Sequence, residues 1–197
     1  VDFITLGNHS FKRPEILEFL DRESAIIRPY NFPQGASGKG VGIIDKGRYR
    51  IAVINLMGTV YMEALNNPFL EIDKALEETD GCKIVIVDFH AEATSEKKAL
   101  GFYLDGKVSA FFGTHTHVQT SDASVLRNGT GYITDLGMCG VIDSVLGVDK
   151  NIVIEKFRTN MPTRFDNARG TCMINGCIFT IDEKSGKCTG VKRIDVR

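Results

Sequence analysis

The sequence predicts an α/β fold in which helices and strands are stacked in layers. Short apolar, β-branched runs alternate with helical stretches in the first part of the chain, and strands dominate the last part. This order of elements is typical of a layered α/β sandwich. The 197 residues, 43% of them hydrophobic, predict a single domain over residues 1–197, because one domain usually takes roughly 100–200 residues.

The composition argues against several classes of protein. The formal net charge of -1 disfavours an electrostatic nucleic-acid binder, which carries a surplus of Lys and Arg. No apolar stretch approaches the roughly 20 residues that span a bilayer, and no secretory signal is visible. The five cysteines form no C-x-x-C pair, so we expect free, buried thiols in a reducing compartment. We therefore expect a soluble, cytoplasmic protein.

The elements of the first half follow from local signals. Residues 1–6 form an apolar run that predicts a strand, and Pro14 suits the first position of a helix because its missing N–H is not needed there. Residues 28–42 contain prolines and four glycines, which predict a loop. Residues 50–57 predict a buried strand. Asn67-Pro68 predicts the start of a helix that ends near residue 78.

The second half continues with apolar runs bounded by glycines and polar turns. These predict strands at 83–89, 108–112 and 131–135, helices at 94–104 and 149–157, and a strand pair at 172–182 and 190–196. Thr94 or Ser95 is the expected N-cap of the first of these helices. Its residues 95–98 are all polar or charged and predict an exposed first turn.

The histidines are the main candidates for chemistry. The chain has four, His9, His90, His115 and His117, and each comes just after an apolar strand. Ligand sites in open α/β sheets lie outside the carboxyl ends of the strands. A neutral imidazole is also the commonest metal ligand in proteins. The positions therefore predict a metal site at one edge of the sheet, although isolated histidines are often merely hydrogen-bonded polar groups.

Other polar residues lie close to the histidines in sequence. If residues 115–117 are extended, the spacing of two points both imidazoles to the same side. Asn8 adds an amide oxygen, and Asp88, Glu92 and Asp135 add carboxylates.

Three strings of residues carry a family resemblance. Gly7-Asn8-His9, the strand-end His90, and the run Gly113-Thr114-His115-Thr116-His117 resemble, in their order, the motifs of the calcineurin-like dinuclear metallophosphoesterases. Residues 88–97 and 113–120, with Thr134-Asp135-Leu136-Gly137-Met138, resemble the bacterial YmdB-type phosphodiesterases within that superfamily. The resemblance covers essentially the whole chain. It implies a layered α-β-β-α metallophosphoesterase sandwich.

The resemblance also implies a function and roles for individual residues. Asn8, His90 and His115 resemble ligands of the second metal, His117 resembles a ligand of the first, and His9 resembles the group that protonates the leaving alkoxide. The implied reaction is hydrolysis of small phosphodiesters, such as 2′,3′- or 3′,5′-cyclic nucleotides, by a water that two transition-metal ions (Fe, Mn or Zn) activate. We expect no stable nucleic-acid complex and no membrane association, and relatives of this type are usually homo-oligomers.

The sequence also departs from the family pattern. The family's upstream strands carry carboxylate ligands, one of which bridges the metals, and those strands are absent from these residues. We therefore expect an N-terminally incomplete sandwich with weakened metal binding, because such cations favour carboxylate charge. Lys12 stands where the family commonly has an acidic residue, and Cys139 stands where the family usually has a small, often hydroxylated residue.

Two other functions stay open at this point. The chain could be a non-catalytic fragment or degenerate homologue that keeps the fold and a partial metal site. A different metallohydrolase reaction, such as amide hydrolysis, is less consistent with an Asn ligand beside Gly7 and His9.

Overall fold

The computed structural model describes residues 1–197. The four helices are α1 (Ile16–Arg22), α2 (Pro68–Glu77), α3 (Thr94–Tyr103) and α4 (Lys150–Thr159). The strands are β1 (Ile4–Thr5), β2 (Ile26–Ile27), β3 (Val41–Asp45), β4 (Arg50–Met57), β5 (Ile84–His90), β6 (Ala110–Thr114), β7 (Ser124–Val125), β8 (Gly131–Ile133), β9 (Cys139–Val141), β10 (Cys172–Ile181) and β11 (Cys188–Val196).

The centre of the fold is a six-stranded mixed sheet in the order β3-β4-β5-β6-β8-β7. Strands β4, β5, β6 and β8 are parallel, whereas β3 and β7 pair antiparallel at the two edges. A three-stranded sheet, β11-β10-β9, and the parallel pair β1-β2 complete the strands. The predicted mixed α/β fold is therefore confirmed.

Alternating side chains show which layers cover the central sheet. Tyr132 in β8 contacts α3 at the position of Gly101, and Phe111 stacks on Tyr132 with ring centroids 5.5 Å apart. On the opposite face, Phe112 stacks on Phe179 of the three-stranded sheet at 6.2 Å. Because successive residues of a strand face opposite sides, helices cover one face and the smaller sheet covers the other.

Most of the predicted elements are present with shifted ends. Strand β4 has the predicted bounds, the start of α2 at Asn67-Pro68 is confirmed, and the terminal strand pair forms the antiparallel hairpin β10-β11. The prediction of a strand over residues 1–6 is too long, since β1 has only two residues. The prediction that residues 28–42 are entirely loop is wrong at its end, because β3 begins at Val41 and is stabilised by pairing with β4.

The first turn of α3 corrects another expectation. Glu96 and Lys97 are buried, with 7% and 1% exposure, rather than solvated. The Glu96 carboxylate accepts a hydrogen bond from the Thr59 N–H at 3.0 Å, and Lys97 forms a buried ion pair. The N-cap is Ala93, without a side-chain hydrogen bond, so the predicted Thr94 or Ser95 cap is wrong.

All five cysteines are free thiols, but the expectation that they are buried holds for Cys188 alone. Cys139 and Cys172 are exposed, because the short strand β9 and its neighbour β10 leave these side chains on the surface. No helix combines the length and the apolar character needed to cross a bilayer.

Candidate active site

The segment that carries Asn8 is fixed against the end of strand β4. The Asn55 amide Nδ2 donates to the Leu6 carbonyl at 2.6 Å, and the following residues form a turn closed by the Ser10 N–H donating to the Gly7 carbonyl at 3.0 Å. A Cβ at Gly7 would lie 2.4 Å from the His90 imidazole. Glycine is therefore needed at this position, because it lets the backbone approach the ring.

Asn8, His90 and His115 come together at the carboxyl edge of the central sheet. His90 is the last residue of β5, and its Nε2 lies 3.0 Å from Asn8 Oδ1. The same Nε2 lies 3.1 Å from His115 Nδ1. Polar atoms from three distant parts of the sequence thus come together, with His90 Nε2 next to both of the others.

A hydrogen-bonded chain orients His90. Its Nδ1 lies 3.0 Å from Thr114 Oγ1, and that hydroxyl donates to Asp88 Oδ1 at 2.9 Å. Because the Thr114 proton is used by Asp88, we assign the ring proton to Nδ1, which donates to Thr114. The Nε2 atom that faces Asn8 then carries a lone pair and no proton.

A second carboxylate orients His115. Its Nε2 lies 3.2 Å from Glu92 Oε2, and the negative charge of this carboxylate favours the tautomer with the ring proton on Nε2. The His115 Nδ1 that faces His90 is then also an unprotonated lone pair. A carboxylate beside the outer ring nitrogen is typical of metal-ligating histidines.

The pKa shifts favour the neutral form of both rings. Burial, reinforced by the nearby charge of His115, lowers the pKa of His90 to about 4. Burial also lowers the pKa of His115, although Glu92 opposes this effect. Burial raises the pKa of Asp88 to about 6, and hydrogen bonds from hydroxyl groups limit the rise. At neutral pH both imidazoles are therefore neutral, and Asp88 is mostly ionised.

The chemistry of these atoms fits a bound cation. The Asn8 oxygen and the two imidazole nitrogens are all acceptors, and adjacent ones lie 3.0 and 3.1 Å apart. Two ligands bonded at about 2.1 Å and at right angles on one ion would be about 3.0 Å apart. The structure contains no group of three or more His, Cys, Asp or Glu side chains placed to hold a metal, because the third donor here is the Asn8 amide.

His9 and His117 lie near this centre, but they are not part of the three-atom contact. Both are exposed. Burial is the main cause of the lowered pKa of both His90 and His115, and charges on His9 and on His117, respectively, add smaller effects in the same direction. The side chains of Lys12 and Cys139 are exposed and form no hydrogen bond with the three donor atoms.

The expectation that residues 115–117 are extended is wrong. His115 and His117 have φ angles of 100° and 64°, in a region that non-glycine residues rarely adopt. The buried Asp135 fixes this conformation, since its Oδ2 accepts hydrogen bonds from the Thr116 N–H at 3.1 Å and the Thr116 hydroxyl at 2.8 Å.

The three nearby carboxylates have different roles. Asp88 and Glu92 support the imidazoles, whereas Asp135 is an ion-pair partner of Lys97 at 2.7 Å and faces the interior. Sequence reasoning missed Lys97 and Thr114. Thr114 could have been found from the strand register, because it is the residue of β6 that pairs with His90.

Comparison with known proteins places this fold among the phosphoesterases. A crystal structure described as a novel phosphatase from Mycoplasma pneumoniae matches with a TM-score of 0.92 and 32% identity, over 100% of this chain and 72% of that one. A hypothetical protein from Thermus thermophilus matches with a TM-score of 0.93 and 37% identity, over 99% of this chain and 76% of that one.

Sequence comparison identifies the family. Residues 1–194 match the family described as YmdB-like protein, and the chain belongs to that family. A relative from Bacillus subtilis (strain 168), named 2′,3′-cyclic-nucleotide 2′-phosphodiesterase, is 45% identical over 194 residues, which cover 98% of this chain and 74% of that protein.

Proposed function

We propose that this protein is a metal-dependent phosphodiesterase that hydrolyses small phosphodiesters, with 2′,3′-cyclic nucleotides, and then 3′,5′-cyclic nucleotides, as the first substrates to test. One observation carries the proposal. The unprotonated nitrogens of His90 and His115 and the oxygen of Asn8 face one another at 3.0 and 3.1 Å. The name of the Bacillus subtilis relative supports the choice of substrate.

A transition-metal cation (Fe, Mn or Zn) held there would polarise a phosphoryl oxygen and lower the pKa of a bound water. Nitrogen and oxygen donors suit such borderline ions. The chain's own residues prepare this site. The Glu92 carboxylate beside His115 and the Thr114–Asp88 pair beside His90 favour protons on the outer ring nitrogens. His115 and His90 then present lone pairs, rather than N–H groups, to the cation.

We assign the general acid to His9. It follows the ligand Asn8 directly, and its exposed side chain makes no hydrogen bond within the chain. An imidazole beside the cation, rather than bound to it, can donate its proton to the departing alkoxide oxygen.

His117 is the residue that we propose for a second cation. It follows His115 by two residues, and it has no further His, Cys, Asp or Glu partners that could complete a ligand set. The three-donor site therefore carries the proposal, and the dinuclear centre stays a prediction.

The experiment combines metal analysis with turnover. The purified protein is loaded with Mn²⁺, Fe²⁺ or Zn²⁺ and dialysed, and its metal content is measured beside hydrolysis of bis-p-nitrophenyl phosphate and 2′,3′-cyclic AMP. His115→Ala and Asn8→Ala should lose both the metal and the turnover. Glu92→Gln should weaken metal affinity by about 10–100-fold, because Glu92 acts through His115. His9→Ala should keep the metal and lose turnover.

Asn128→Ala is the matched control for Asn8→Ala, because Asn128 lies in an exposed turn. It should keep both metal and turnover. Metal retention without any turnover would favour the non-catalytic homologue. Full turnover in His115→Ala would overturn the proposed site.

A further inference from the structure

A cavity of about 350 Å³ has His117, which lies two residues from the cluster residue His115, in its wall. Small-molecule sites are usually clefts of roughly 300–1,000 Å³. A larger cavity of about 510 Å³, lined by Arg28 and Tyr30, contains none of the histidines. The first cavity, which we call the His117 cavity, is therefore the one of these two that shares a histidine-bearing segment with the cluster.

A single carboxylate joins the His117 cavity to the cluster. Asp135 Oδ2 accepts a hydrogen bond from the N–H of Thr116, which lies between His115 and His117. Its Oδ1 accepts one from the Gly137 N–H at 2.9 Å, immediately before the cavity residue Met138. The cluster and the cavity wall are thus held in a fixed relation by the same buried group.

The lining of the His117 cavity combines five apolar side chains with seven polar or charged ones, among them Arg193, Asp195 and Arg197. The apolar side chains are Val118, Met138, Ile142, Leu146 and Met173. Asn175 lies among them, and its Nδ2 donates to Asp195 at 3.2 Å, whereas its Oδ1 accepts no hydrogen bond within the chain. Thioethers make favourable contacts with aromatic rings, and an unused amide oxygen can accept from an amino group.

We propose that the His117 cavity binds the nucleoside part of a cyclic nucleotide whose phosphate lies at Asn8, His90 and His115. This inference rests on the proposed function. It assigns a binding site to the nucleoside, which the metal site would not contact. The flat base would lie against the methionine side chains, and Asn175 would accept a hydrogen bond from it. The five-membered cyclic phosphate would then be directed at the cluster.

The test compares a nucleotide with a base-free substrate. The metal-loaded protein is assayed with 2′,3′-cyclic AMP and with glycerol 1,2-cyclic phosphate, which has the same strained ring and no base. Met138→Gln and Met173→Gln should each lower the ratio of kcat/KM for the nucleotide to kcat/KM for the glycerol diester by about tenfold or more. Met161→Gln, at a 62% exposed methionine outside the cavity, should leave this ratio within about twofold.

A binding measurement separates failure of this inference from failure of the proposed function. Saturation-transfer NMR with adenosine, which has no phosphate, should give a signal with the unmodified protein and with Met161→Gln, and a much weaker one with both cavity variants. If the protein hydrolyses neither diester, the proposed function fails, and adenosine binding alone decides the cavity. If both diesters are hydrolysed and the ratio is the same in all variants, the cavity inference is overturned while the function stands.

Discussion

The buried ion pair between Lys97 and Asp135 provides the sharpest test of how this site is held. The side chains of both residues are 1% exposed, and Lys97 Nζ lies 2.7 Å from Asp135 Oδ2. Lys97→Met replaces the ammonium group by an apolar side chain of similar length. We expect it to destabilise the protein strongly, because it removes the countercharge of a carboxylate that water cannot reach.

The remaining contacts of Asp135 set the size of the effect. In Lys97→Met, the carboxylate keeps three hydrogen bonds, from the Thr116 N–H, the Thr116 hydroxyl and the Gly137 N–H. These donors are neutral and do not replace the lost charge. Breaking a buried pair by removing one partner costs about 3–5 kcal/mol, which is a large part of a typical stability of about 5–15 kcal/mol.

Urea unfolding gives the measurement, with the free energy of unfolding taken from the midpoint and slope of the transition. The matched control is Lys150→Met, since Lys150 pairs with Asp143 at 2.6 Å while the two side chains are 47% and 76% exposed. An exposed pair contributes about 0–1 kcal/mol. The double variant Lys97→Met with Asp135→Asn should recover part of the loss, because no buried charge then remains. Equal losses in Lys97→Met and Lys150→Met would refute this reasoning.

The parts of the fold that sequence predicted have strong local signals. Asn67 accepts a hydrogen bond from the Phe69 N–H at 2.9 Å and so caps α2 as its sequence indicates. Strand β4 is a mostly apolar, β-branched run that begins at Arg50 and is followed by Gly58. In both elements the residues that determine the structure are adjacent in sequence, which is why the prediction needed no tertiary contact.

The missed elements depend on distant partners. Strand β3 lies after a glycine-rich stretch and is a strand because it pairs with β4. Strand β9 has three residues and pairs with β10, more than thirty positions further along the chain. Nothing in their local composition separates them from loop.

The same distinction applies to the candidate site. The positions of His90 and His115 after strands correctly indicated that they lie at one edge of the sheet. Their surroundings were not predictable, because Glu92 and Asp135 are both acidic residues near a strand end. Only the tertiary contacts show that Glu92 reaches His115 while Asp135 faces Lys97. Lys97 itself lies in a polar helical turn and is buried only because this carboxylate lies opposite it.

Two further predictions concern the packing around His90 and a loop carboxylate. Gly7→Ala should displace the His90 imidazole, since the new Cβ would lie 2.4 Å from ring atoms. It should therefore lower the metal content that remains after dialysis. The control Gly176→Ala, whose Cβ would have nothing within 4 Å, should leave the metal content unchanged. Burial disfavours the charged form of Asp122, but hydrogen bonds, with the Thr134 hydroxyl foremost, outweigh this effect and lower its pKa from 3.8 to about 2. Because the pKa in the folded state is below that in the unfolded state, the stabilisation is fully present above about pH 4 and is lost as the pH falls towards 2. The side chain is 32% exposed, so the contribution is on the order of 1–2 kcal/mol after discounting for solvent screening. Asp122→Asn should therefore be less stable than the unmodified protein at pH 6 in urea unfolding. The difference in the free energy of unfolding should narrow below about pH 4 and be mostly lost at about pH 2. A difference that does not change with pH would mean that the charge of Asp122 contributes nothing.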